Sequence, residues 1–406
     1  MFNRTSGWVA SFQLKSCFLW AARNVKHVSF VAAVAVEWAN RQEISGSARR
    51  RFAKTQGSGR SVERDQRRIA IRQDPLGNSE IYQYDASGRL LWYTDRRGVI
   101  SGYSYDILGR RILAGFGYNG SSYESTISYT FDHGNRLTDT LDSLTGAILR
   151  QFDGLNALQS EVTPQGTVSY SYDADERRQA MTVTGQPTVH YTYDPDSRLT
   201  QITQSANTVS FTYDPSGRRS SLSLANGISA AYEYDAASQL VSIQYHSGAA
   251  ALGDLEYTYD SAGRRAAVTG SFARTDLPDA ISGAQYNVNN QLTQWGSRSP
   301  AYDFNGNLLN DGVNSYSWNS RNQLSSMNAG ITTFIYDSFG RRVEASVSGG
   351  NAKVFLYDGA NIVQEFAGTS PTANLLTGGL DEVFMREDSA GVVNLFTDGL
   401  GSTLAR

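Results

Sequence analysis

An aromatic-Asp step recurs about fifteen times along this 406-residue chain at intervals near 21 residues, and it usually leads into Gly-Arg. Tyr84-Asp85-Ala86-Ser87-Gly88-Arg89 is one copy. Tyr105, Asp106, Gly109 and Arg110 repeat it, as do Tyr213, Asp214, Gly217 and Arg218; Tyr259, Asp260, Gly263 and Arg264; and Tyr336, Asp337, Gly340 and Arg341. A fixed period of this length marks a repeat array, in which one unit cannot bury its own apolar face and stability comes from neighbours. The array therefore overrides the two or three domains that length alone suggests.

The unit reads as a β-hairpin. Aromatics spaced by two, such as Tyr103 and Tyr105 or Phe211 and Tyr213, fall on one face of a strand, and the Ser or Thr between them falls on the wetter face. Asp then starts a turn by bonding backbone two residues on. Glycine at the fourth motif position after Asp's aromatic supplies the left-handed conformation, and Arg opens the return strand. Asp and Arg in register are expected to form a ladder of ion pairs between neighbouring units. Between Tyr286 and Trp318 the spacing shrinks to 16 and Asp gives way to Asn287 and Asn319, so shorter hairpins are expected there.

About 14 units of two strands far exceed the roughly ten strands that an open twisted sheet reaches without curling. No amphipathic helix is legible after residue 72 to cover the aromatic face. The fold expected is all-β: spirally wound antiparallel hairpin repeats forming a hollow shell that closes on itself or wraps something else. Fourteen units would also make seven four-stranded blades, so a β-propeller is the alternative, although its repeats are usually nearer 40 residues.

Charge divides the chain. Residues 1–72 carry 14 Arg+Lys against 4 Asp+Glu, about +10, and the remainder 22 against 35, about −13. An acidic body whose only lysine is Lys353 does not suit nucleic acid. The leader, 1–72, reads as basic and disordered; its apolar run 28–36 is too short to span a bilayer, and its basic part is too long for an ordinary signal peptide. A misplaced start codon would leave the same pattern. The single cysteine, Cys17, permits no intramolecular disulfide.

No chemistry is legible. His27, His133, His190 and His246 are scattered without zinc-ligand spacing. No serine sits in a nucleophile elbow, and the recurrent Asp residues occur singly rather than converging as calcium ligands do. The expectation is no catalytic residue, no metal and no cofactor. The aromatics suit sugar stacking as well as burial, which keeps a cell-surface adhesin or glycan-binding protein as the second functional reading.

The motif and its spacing resemble the YD repeat of the Rhs family, whose shell is related to that of the teneurins. The tail adds a second likeness: Gly378-Gly379-Leu380-Asp381-Glu382, then Asp398-Gly399-Leu400-Gly401-Ser402, is similar to the Rhs-associated core, with Asp398, Leu400, Gly401 and Ser402 as its step. The resemblance implies a YD shell over 73–354, the start of the core over 355–406, and a β cocoon that encloses or presents a C-terminal toxin or other polypeptide cargo. It further implies a secreted or cell-surface protein of bacterial competition. Members continue into a self-cleaving segment and a toxin; this chain stops at Arg406, so it reads as a fragment or shell remnant of a polymorphic-toxin protein.

Overall fold

A computed structural model describes residues 68–273 and 283–405. The leader up to residue 67, with Cys17 and His27, lies outside the described residues. Among the described residues there are 34 β-strands and no helix. Nineteen strands, from Ile71–Gln73 to Arg265–Thr269, belong to one antiparallel sheet, and nine more, from Tyr316–Trp318 to Gly391–Asn394, to another. Sheets of this length do not divide into four-stranded blades, so the propeller alternative fails.

Sequence pattern accounts for the repeating hairpin. The strand Asn207–Tyr213 ends on its motif tyrosine and pairs with Arg219–Ser223, which pairs in turn with Ile228–Tyr234. At each of the five best-preserved motifs the register slips just before the aromatic, so that Tyr84 faces Leu90, Tyr105 faces Arg111, Tyr213 faces Arg219, Tyr259 faces Arg265 and Tyr336 faces Arg342. A bulge at that point adds twist where the chain turns. Ser104, Thr130, Ser171, Thr192, Thr212 and Thr258, the residues between paired aromatics, are all exposed.

The described residues form two compact units, one of residues 68–126 and 283–329, the other of 127–273 and 330–405. In four successive hairpins of the second unit an aromatic stands opposite an aliphatic: Tyr170 faces Met181, Tyr191 faces Ile202, Phe211 faces Leu222 and Tyr232 faces Ile243. The four aliphatics are buried, and Leu356, Val363, Leu376, Phe384, Met385 and Phe396 from the later strands pack into the same cluster. Burying each such side chain contributes about 1.5–3 kcal/mol. Within this unit the apolar face of the earlier repeats is thus covered by later residues of the same chain.

In the first unit Trp92, Tyr118 and Tyr123 form an aromatic cluster with ring centroids 5.2–6.4 Å apart. Tyr123 lies flat on Gly115, where a Cβ would come within 2.4 Å of the ring. Here too later residues lie against earlier ones: Asn289 donates to Asp74, Asn305 to Asp95, and Arg97 to the carbonyl of Asn319. The shorter hairpins expected in this stretch are present as Gln285–Tyr286 with Leu292–Gln294, Ala301–Tyr302 with Leu308–Asn310, and Tyr316–Trp318 with Leu324–Met327.

Candidate functional site

The repeated turn is the chain's dominant constellation, and Asp214 shows its parts. Its Oδ1 accepts the amides of Ser216 and Arg218, both at 2.9 Å, and its Oδ2 accepts Arg218 Nε at 2.6 Å. The Asp214 amide donates to the Arg218 carbonyl, and the Gly217 amide to the Asp214 carbonyl. Gly217 has φ +79°, and Gly88, Gly109, Gly263 and Gly340 lie between +74° and +81°. Non-glycine residues hold the same turn position at Asn135, Asn156, Glu176, Ser197 and Ser238, all with positive φ. These last are conformations that L-residues visit at a cost.

The expected ladder of ion pairs between units is not what forms. Asp85–Arg89, Asp106–Arg110, Asp214–Arg218, Asp260–Arg264 and Asp337–Arg341 each pair inside one motif. The spacing of four across a tight turn puts the carboxylate within reach of its own arginine, and that fixes the guanidinium's direction. The plane then extends over the aromatic of the following repeat: Arg89 over Tyr105 at 5.0 Å, Arg136 over Phe152 at 5.2 Å, Arg177 over Tyr193 at 4.9 Å and Arg218 over Tyr234 at 4.6 Å. Arg89 Nη1 also donates to the Asp106 carbonyl and Arg136 Nη1 to the Asp153 carbonyl. The tyrosine hydroxyl answers in the opposite direction, Tyr105 to the Leu90 carbonyl, Tyr234 to the Arg219 carbonyl and Tyr259 to the Leu240 carbonyl. A motif that carries its arginine in this way finishes its own turn and clamps the next.

These contacts hold the motif carboxylates below their ordinary range. For Asp85, Asp132 and Asp214 the main cause is the amide of the motif arginine, and for Asp173 and Asp260 its side chain. At Asp106 and Asp194 burial pulls upward most strongly but is outweighed by the amide and side chain of the arginine together. An acid held in this way stays a charged acceptor and is poorly placed to move protons.

A second arginine, directly after the motif, has a different role that sequence reasoning left unassigned. Arg178 stacks 4.5 Å over Tyr170 and forms a two-pronged pair with Asp358, which also accepts the Tyr170 hydroxyl at 2.7 Å. Burial opposes the charge on Arg178, but the Asp358 carboxylate outweighs it and raises its pKa. Arg219 stacks over Phe211 and pairs with Glu382. Arg341, itself a motif arginine, reaches Glu161 at 2.8 Å as well as Asp337. These pairs tie residues about 160–180 positions apart. The doubled arginines in the sequence were the available signal; their partners were not legible, because distant register sets them.

The tail step repeats the motif's turn without its arginine. Asp398 Oδ1 accepts the amides of Leu400 and Ser402, the Gly401 amide donates to the Asp398 carbonyl, and Gly401 has φ +76°. Tyr245 donates to the Thr397 carbonyl and Tyr257 accepts from the Gly399 amide, which fastens the turn to earlier strands. Among the described residues no group of three or more His, Cys, Asp or Glu is arranged to hold a metal.

A clamp that hands each repeat to the next is what a continuous YD array requires. The match to known families falls on these same residues: a Teneurin YD-shell model covers 219–367 and an RHS Repeat model covers 193–228. The stretch 193–367 is matched as Rhs/YD repeats. Its relatives include the tRNA3(Ser)-specific nuclease WapA of Bacillus spizizenii, 29% identical over 170 residues, and the tRNA nuclease WapA of Bacillus subtilis, 28% identical over 170. In both cases 37% of this chain is covered and only 7% of the relative. By fold, the YD-repeat chain is similar to the Photorhabdus luminescens Tc holotoxin pore, with TM-score 0.57, 15% identity, and coverage of 82% of this chain and 23% of that one. It is also similar to the crystal structure of TcdB2-TccC3-TEV, with TM-score 0.56, 12% identity, and coverage of 82% and 24%. The chain thus spans a small part of every one of these proteins. No helix among the described residues is long and apolar enough to cross a membrane.

Proposed function

We propose that this YD-repeat chain is non-enzymatic wall material of a bacterial polymorphic-toxin type protein, secreted or displayed at the cell surface, and that it holds a polypeptide cargo continuing from its C-terminal side. The observation that carries the reading is the seat of the tail hairpin. Phe396 is buried against Tyr245 and Phe272, and Leu404 packs on the same apolar cluster that the repeat aromatics line. A polypeptide continued past Ala405 starts on that lined face rather than on the Ser/Thr face. Relatives named as tRNA nucleases and a fold likeness to a toxin pore agree with a wall that serves a toxic activity located elsewhere. Motif carboxylates held charged by their own arginines are poor proton shuttles, and an acidic body is a poor groove for nucleic acid, which agrees with a structural part for the repeats.

The test is a protease-sensitive, unstructured reporter joined after Arg406 of the whole chain, with the same reporter joined before Met1 of a second copy. Digestion of the C-terminal reporter is expected to be the slower of the two, and Tyr245→Ala with Phe272→Ala should remove the difference. Equal digestion of both reporters in the unaltered chain would refute the proposal.

A further inference from the structure

Three asparagine-glycine steps fall among the described residues: Asn119-Gly120, Asn226-Gly227 and Asn305-Gly306. At such a step the chain can attack itself, because the glycine nitrogen, unhindered by a β-carbon, closes a five-membered ring on the side-chain amide carbon. The structure treats the three differently. Asn305 is held on every side: its Oδ1 accepts the Arg96 amide at 3.0 Å, and its Nδ2 donates to Asp95 at 2.7 Å and to Asn322 at 2.9 Å. The Gly306 amide is occupied by the Asp303 carbonyl, and the Gly227 amide by the Leu224 carbonyl. Neither nitrogen attacks without first giving up its hydrogen bond.

Asn119 stands at the tip of a loop between Arg111–Phe116 and Ser125–Phe131. Tyr118 and Tyr123 pin that loop to Trp92, and the Glu124 amide closes it on the Phe116 carbonyl at 2.9 Å. Its four tip residues, Asn119 to Ser122, are exposed to water. The Gly120 amide donates to no group among the described residues, and nothing lies within 4 Å of where a Gly120 β-carbon would stand. Asn119 Oδ1 accepts three donors: the Ser121 amide at 3.0 Å, the Ser122 amide at 2.9 Å and the Ser121 hydroxyl at 3.0 Å. Its Nδ2 donates to Ser122 Oγ at 3.2 Å.

We propose that Asn119 is a self-modification site, at which the folded chain converts this asparagine to isoaspartate and aspartate while Asn226 and Asn305 remain amides. The Gly120 nitrogen bonds to Asn119 Cγ, the Cγ–Nδ2 bond breaks, and ammonia leaves carrying the proton that the glycine nitrogen gives up. Water then opens the resulting cyclic imide at either of its two carbonyls, so the net change is one water consumed and one ammonia released. Donors already aimed at Oδ1 stabilise the negative charge that this oxygen takes on during attack, as in an oxyanion hole. The Ser122 hydroxyl, next to Nδ2, is placed to pass a proton to the leaving nitrogen. The product carboxylate accepts the same amides more strongly than the neutral side chain did. Each converted chain therefore gains one negative charge at the tip of this loop.

Time-resolved peptide mapping of the whole chain, native and in concentrated guanidinium at physiological pH, tests this. The tryptic peptide 112–136 holds Asn119-Gly120 as its one asparagine-glycine step, and isoaspartate is separated from asparagine by chromatography and mass. In the native chain Asn119 is expected to convert at least about tenfold faster than Asn226 and Asn305, whose glycine amides must first be freed. In denaturant the three should react within about twofold of one another, since the dipeptide is the same. Ser121→Ala, a change at an exposed tip that removes one donor to Oδ1, should slow the native Asn119 reaction about threefold or more, the worth of one modest hydrogen bond. The proposal is overturned if native Asn119 reacts no faster than the other two, if its lead is as large in denaturant, or if Ser121→Ala leaves its rate unchanged.

Discussion

Arg341→Ala is expected to destabilise its unit by about 3–5 kcal/mol, the range for removing one partner from a buried ion pair. The Arg341 side chain is only 11% exposed, and both carboxylates it serves, Asp337 and Glu161, are 4% exposed. Alanine would leave two buried negative charges together with Arg150, which pairs with Glu161 from the other side. The same substitution at Arg264, the equivalent motif position with a side chain 65% exposed, should cost less than about 1 kcal/mol. Urea denaturation followed by circular dichroism measures both. Hydrogen exchange in Leu158–Thr163 and Arg342–Val347 should locate the loss for Arg341→Ala. Equal, small shifts in the two variants would show that the contact between distant repeats contributes little.

Acid should unfold the array steeply. Seven motif carboxylates, Asp85, Asp106, Asp132, Asp173, Asp194, Asp214 and Asp260, are held below their ordinary range. A group whose pKa is lowered by folding contributes stability that is present above the unfolded value, near 4 for Asp, and is lost as pH falls through the folded value. The seven act in the same direction, so stability should be flat with respect to these groups between pH 5 and 8 and should then fall with uptake of several protons. The steepness of that fall reports the number of protons taken up. The urea midpoint measured from pH 5 down to pH 2 reads that slope. A curve that stays level, or that corresponds to a single proton, would contradict the assigned role of the turn carboxylates.

The hairpin and its turn were legible in sequence because they are local. Period-two aromatics, a turn-starting aspartate and a glycine fix strand, face and turn within six residues. The direction of the arginine was less legible: from register alone an inter-unit ion pair is as natural as the observed pairing inside the motif. Only the distance across the turn decides, since the Arg218 amide and Nε both reach Asp214. The partners of Arg178 and Arg219 were not legible at all, because Asp358 and Glu382 come beside them through the meeting of repeats 163–180 positions apart. The exchange of Asp and Arg for Asn287 and Gln291 is visible in the sequence as weakened motif residues, but the contact of Asn289 with Asp74 is set by distant register and is not. Asp95, whose turn to Val99 is closed like a motif turn, was passed over because Thr94 precedes it in place of an aromatic.

The central claim is that the motif arginine of a regular repeat, such as Arg89, Arg177 or Arg218, completes the repeat after its own. A double-mutant cycle of Arg218→Ala with Tyr234→Leu, set beside Arg218→Ala with Tyr213→Leu, tests it most directly. Arg218 lies over the ring of Tyr234, in the following repeat, whereas the Tyr213 ring of its own repeat is covered by Arg198. A coupling energy of about 0.5–1 kcal/mol is predicted for Arg218 with Tyr234, and additivity within about 0.3–0.5 kcal/mol for Arg218 with Tyr213. Coupling confined to Arg218 and Tyr213 would contradict the account and make the motif a self-contained turn.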